Sequence, residues 1–146
     1  MPLLDDMATY LASCTSAFII TKGTAGNTVN SVLLDRTPAP DTMTALYETG
    51  GSSPNWVFGS TAPAYETCGL QVLHRSTSYA IAHARAHSAY VWLGGIRNKY
   101  LPSTSASTKC LYLDVDPTSP PFSVGPDANG RWLVSSNFIV RKERDD

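Results

Sequence analysis

Charge is the first thing this sequence has little of. Only 16% of its 146 residues are Asp, Glu, Lys or Arg, against roughly a quarter in an average globular chain. A surface so poor in charge is covered by Ser, Thr, Gly and Asn, or by other subunits, and composition leaves both readings open. There is no basic cluster outside Arg141-Lys142-Glu143-Arg144, which Asp145 and Asp146 follow, and the net charge is −1. A protein that grips phosphates shows a basic stripe, so sequence-specific nucleic-acid binding is not expected. Cysteine is sparse as well. Cys14, Cys68 and Cys110 are an odd, widely spaced set without a Cys-x-x-Cys pair. They offer no disulfide framework and fit a reducing compartment, as small buried hydrophobes. No apolar run approaches the ~20 residues of a membrane span. The opening Met1-Pro2-Leu3-Leu4-Asp5-Asp6 lacks the basic and apolar regions of a signal peptide. The expectation is a soluble chain, made in the cytoplasm, with no membrane contact.

Signatures of catalysis are missing too. There is no Gly-x-Ser-x-Gly elbow and no phosphate-cradling Gly-x-x-x-x-Gly-Lys. Gly94-Gly95 closes a helix rather than opening one, so it offers no anion site. His83 and His87 stand one helical turn apart, a spacing that zinc accepts, but Ala84 occupies the place where a metalloprotease needs its Glu. No third ligand is evident, and the helical wheel sets both histidines beside Tyr90 on the apolar side, which reads as packing. Asp114 and Asp116, just before Pro117, read as the polar end of a strand. No catalytic residue, cofactor site or metal site is therefore expected, and the protein is expected not to be an enzyme.

What is present is a core. Hydrophobic residues make up 42% of the chain, enough to fold one domain of ordinary size over residues 1–146. Leu3, Leu4, Met7, Ala8 and Leu11 recur at helical spacing and predict a helix over 3–14, with Pro2 and the acidic Asp5 and Asp6 at its start. Strands are predicted at 17–20, 31–34, 43–47, 67–75, 110–115, briefly at 122–124, and at 131–141. The 67–75 strand carries Leu70, Val72 and His74 on one face. An Ala-rich helix is predicted over 79–93, capped by Ser76 or Ser78 and stopped by Gly94-Gly95. Its buried face is read as Tyr79, Ala82, Ala86, Tyr90 and Leu93. Asp127-Ala128-Asn129-Gly130 marks a hairpin. Residues 50–63 and 103–108 read as loops. The order points to an α+β fold, two helices packed on a mixed, mainly antiparallel sheet.

Two features point outward. Trp56 and Phe58 lie in the 50–63 loop, and Leu133 and Ile139 fall on the otherwise polar face of the last strand. Apolar bulk at such places marks candidate subunit contacts.

Four stretches together resemble the tail terminator or minor capsid proteins of long-tailed bacteriophages. They are Leu3-Leu4-Asp5-Asp6-Met7-Ala8-Thr9-Tyr10-Leu11, Ala45-Leu46-Tyr47-Glu48-Thr49-Gly50-Gly51, Leu70-Gln71-Val72-Leu73-His74-Arg75 with the helix from Tyr79, and Gly125-Pro126-Asp127-Ala128-Asn129-Gly130-Arg131 running into Asn137-Phe138-Ile139-Val140. The resemblance implies a virion protein at the junction of tail and neck. It implies a hexameric ring of identical copies that caps the tail tube protein and meets the head–tail connector or a head-completion protein, while DNA passes through without sequence-specific binding. Another neck or head-completion connector protein is the alternative; a small cytoplasmic enzyme or ligand-binding domain is a further one.

Overall fold

The computed structural model describes residues 2–13, 21–22, 31–33, 43–51, 55–56, 63–101 and 110–143. In chain order the elements are α1 (Pro2–Ser13), β1 (Thr21–Lys22), β2 (Ser31–Leu33), β3 (Met43–Thr49), β4 (Asn55–Trp56), β5 (Pro63–Ser76), α2 (Tyr79–Gly94), β6 (Arg97–Leu101), β7 (Cys110–Pro117), β8 (Phe122–Pro126) and β9 (Trp132–Glu143). The strands form one sheet in the order β1-β2-β3-β5-β9-β7-β6, with β4 paired to β5 and β8 to β9. β1, β2 and β3 run parallel, and every other pairing is antiparallel. The α+β expectation is met.

β5 and β9 are the spine. They pair without interruption from Tyr65 opposite Glu143 to Ser76 opposite Trp132. Alternate residues of a strand face opposite sides of the sheet. Leu70, Val72 and His74 therefore share one face with Phe138, Ser136 and Val134. α2 packs there against β5, β7 and β9, and α1 packs against β1 to β3 and against α2. The core joins Leu3, Leu4, Met7, Ala8 and Leu11 of α1 to Leu46, Leu70, Val72, Phe138 and Val140 of the sheet and to Ala89 and Leu93 of α2. Removing a side chain such as that of Phe138 from water contributes about 2–3 kcal/mol.

Local sequence explains how the strands seat. The register of β7 against β9 shifts between Tyr112 and Asp114, an irregularity that lets Tyr112 and Val115, three residues apart, both be buried. The Tyr112 hydroxyl donates to Asp6 Oδ2 at 2.7 Å and ties α1 to β7 through the core. The early acidic pair was read as serving the helix dipole; Asp6 is instead buried and bonded to Tyr112. Gly69 lets β3 turn away closely from β5, because a Cβ there would lie 2.6 Å from the Gly50 carbonyl oxygen. The β8–β9 hairpin forms where expected. The Gly130 N–H donates to the Asp127 carbonyl, and Gly130 takes φ +74°.

Several expectations need correction. β4 puts Asn55 and Trp56 into a short strand inside the segment read as a loop, and β6 had no reading at all. β5 extends beyond 67–75 at both ends, and β9 runs two residues past 141. Ser78 is the N-cap of α2, yet its hydroxyl makes no capping bond, and the C-cap Gly95 sits at φ −86° rather than in a left-handed turn. The buried stripe of α2 is Ala82, Arg85, Ala86, Ala89 and Leu93; Tyr79 is exposed and Tyr90 half-buried. The small alanines let the helix lie close to the sheet, and the stripe they define turns the two tyrosines to its flank. Cys68 and Cys110 are half-buried at the core margin rather than fully inside. The strand read at 17–20, the loop at 103–108, Cys14 and Phe58 lie outside the described residues.

Candidate functional site

The face of the β5–β9 pair away from the helices is covered at one end, where Arg75 and Ser135 and the adjoining Met43 and Ala45 of β3 are buried, and exposed at Ile139. Across it, Leu133 stands opposite Arg75, Ser135 opposite Leu73, Asn137 opposite Gln71, Ile139 opposite Gly69 and Arg141 opposite Thr67. Gln71 Nε2 donates to Ser135 Oγ at 3.1 Å, which fixes the polar middle of this face. Ile139 is 44% exposed. Its neighbours explain that exposure, since Gly69 on one side has no side chain and Asp116 on the other is a short polar one. Leu133, at the other end of the row, is half-buried. Phe122 of β8, in register with Ser135, is also exposed.

The charges beside Ile139 are matched. Asp114 binds Arg141 through two contacts, one of them Nε to Oδ1 at 3.0 Å. That hydrogen bond, followed by the direct charge attraction of Asp114, raises the Arg141 guanidinium above its ordinary pKa. Arg97 donates to Asp116 at 2.9 Å and to the carbonyls of Ile96 and Val115. At the hairpin, Asp127 accepts from the backbone N–H groups of Arg131 and Asn129 and from Arg131 Nε at 2.8 Å. The Arg131 backbone bond is the main cause of a carboxyl held below its usual range.

The β6 and β8 edges are poor templates for pairing with another chain. β6 ends the strand order and carries Arg97, Lys99 and Asn98, the last at φ +46°. β8 has a register shift between Ser123 and Gly125, with Gly125 at φ +89° and Pro126 at its end. Charge, irregular backbone and proline all blunt edge-to-edge addition. Exposed apolar groups stand on these strands (Tyr100, Phe122 and Val124) and on the two sides of the sheet. On the helical side these are Tyr79, Ile81 and Val91 of α2, and Trp132, whose ring meets Tyr79 edge-on at 5.6 Å.

Of the four residues singled out from sequence, Leu133 and Ile139 fall in one row on the sheet face away from the helices, the first half-buried and the second exposed. Trp56 lies in β4, paired through β5 at a distance along the strand from them, and Phe58 lies outside the described residues. Sequence reading missed Phe122, Val124 and Tyr100 as exposed apolar groups. Alternation in β8 gave a usable signal, because Phe122 and Val124 flank Ser123; Tyr100 had none. His83 and His87 are corrected as well. Both are exposed on α2 rather than packed on its apolar side. Among the described residues no three His, Cys, Asp or Glu side chains converge as a metal cluster, and no helix is long and apolar enough to cross a membrane.

No curated protein matches the chain. The family model described as bacteriophage tail terminator protein matches residues 20–144, a span that takes in every strand and α2 and leaves α1 outside. The chain therefore belongs to the bacteriophage tail terminator family, a family of structural tail proteins, and is a virion component.

Proposed function

We propose that this protein ends the growing phage tail tube as a closed ring of identical copies, six in number, and then presents its upper surface to the head connector. The observation that carries the reading beyond family membership is the exposed apolar pair Ile139 and Phe122 on the sheet side away from the helices. Beside them Arg141 and Arg97 are already paired with Asp114 and Asp116 within the subunit, so a neighbouring copy can cover this region without stripping water from an unpaired ion. A ring needs two different flanks that meet head to tail. The Leu133–Ile139 row with Phe122 serves as one flank, and the helical side with Ile81 and Val91 as the other. Trp56 and Phe58 add to the contact from the segment between β3 and β5. Polymerisation stops because one face of the ring matches tube subunits and the other does not. A net charge of −1 suits a ring that lets DNA pass without holding it.

Mass measurement by light scattering tests the ring. The expected species is six chains of 15.7 kDa each, and tubes assembled in its presence stop at a uniform length. A chain that stays monomeric at every concentration, and leaves tube length unaltered, overturns the reading.

A further inference from the structure

We propose that α2 carries a two-imidazole site for a divalent transition-metal ion of the nickel, copper or zinc class, formed by His83 and His87. This goes beyond the assembly role and is argued for the free subunit, since His87 shares the exposed flank of α2 with Val91. In a regular helix, residues four apart project from the same flank about 5–6 Å apart at Cβ, a separation that one metal ion spans with two imidazole nitrogens. Both histidines are exposed and lie within the unbroken helix Tyr79–Gly94. Neither ring is held by a hydrogen bond or an ion pair to a described residue. The contacts made are with aromatic rings, His83 with Tyr79 at 5.8 Å between centroids and His87 with Tyr90 at 6.1 Å.

The surroundings suit a soft cation. Arg85 is the one charged side chain in α2, and it is buried on the opposite stripe, so the exposed flank presents neither a competing ammonium nor a carboxylate. Imidazole donors without carboxylates select first-row transition metals over magnesium or calcium, with copper strongest in the series. Exposed rings change rotamer within nanoseconds, so swinging from the two tyrosines towards a shared ion needs no rearrangement of the fold. Water fills the remaining coordination positions. The packed position inferred from sequence argued against metal binding, and with both rings in solvent that argument lapses.

The test is calorimetric titration of the untagged protein with NiCl2 at pH 7.5, with MgCl2 as the control and the helical circular dichroism of each variant as a check of folding. One Ni2+ per chain is expected, and none of the heat with Mg2+. His83→Ala and His87→Ala should each weaken Ni2+ binding by roughly tenfold or more, because the second ligand acts at high effective concentration. No saturable Ni2+ binding by the parent overturns the proposal. So does unchanged binding in either folded variant, which would place the ion elsewhere.

Discussion

His74 sits on the inner face of β5 under α2, fully buried, with Nδ1 2.9 Å from Thr44 Oγ1. Its Nε2 and the hydroxyl of nearby Ser136 are buried without a hydrogen-bond partner among the described residues. Burial, and then the charge of Arg85, lower its pKa from 6.5 to about 3. Burial also lowers the pKa of Arg85 itself. The native state thus holds His74 neutral, while the unfolded chain takes up a proton below pH 6.5. Stability is fully retained above pH 6.5 and is lost as pH falls towards 3, at up to about 1.4 kcal/mol per pH unit. Urea unfolding of the parent should therefore lose about 2 kcal/mol between pH 7.5 and pH 5 through this group. His74→Gln, which keeps a neutral polar side chain, should remove most of that loss. An equal loss in both proteins would show that other groups govern the acid limb. The alternation of β5 already placed His74 with Leu70 and Val72 in the sequence. Its pairing with Thr44 was not visible there, because the two residues meet only through the register of β3 against β5.

Among the elements, the β8–β9 hairpin is where sequence and structure agree most closely, and the reason is local. Asp127 closes the turn with its own carboxylate, and Gly130 supplies the left-handed backbone that follows. Both effects act within five residues. A Cβ at Gly130 meets nothing within 4 Å, so a substitution there costs backbone strain alone. Gly130→Ala should destabilise by about 1–2 kcal/mol and Gly130→Asn by less, since Asn visits the left-handed region more readily. Thermal or urea unfolding of the two variants checks the order, and equal losses would argue against a backbone origin. The elements missed, β4 and β6, are two and five residues long and depend on neighbours. β6 alternates only weakly and carries Arg97 and Lys99, so it becomes a strand through pairing with β7. The rotation of α2 was misjudged for a related cause. An Ala-rich helix has a weak apolar contrast, and burial of the charged Arg85 is set by the sheet beneath it rather than by hydrophobicity.

At the scale of the whole molecule, helices cover one side of the sheet, and the adjacent residues Phe138 and Ile139 report on its two sides separately. Phe138 is core and Ile139 is exposed. Phe138→Ala should cost about 3–5 kcal/mol through transfer and cavity terms. Ile139→Lys should change stability by no more than about 0.5 kcal/mol, as surface substitutions do, yet abolish assembly if the proposed ring is formed through this side chain, because it puts an unpaired charge into the proposed contact. Light scattering and thermal unfolding measured together separate these outcomes. Parallel loss of assembly and stability in Ile139→Lys would make that side chain part of the fold instead.

The sequence by itself determined the fold class, the opening helix (read at 3–14 and observed at Pro2–Ser13), the hairpin turn and the two-sided character of the last strand. Each follows from periodicity or turn chemistry confined to a few consecutive residues. Only the tertiary structure decided that Ile139 is bare because Gly69 and Asp116 flank it, that Arg141 and Arg97 spend their charge on Asp114 and Asp116, and that His83 and His87 face solvent. Those facts belong to strand order and helix rotation, which are fixed by contacts between residues far apart in the chain, and no local pattern encodes them.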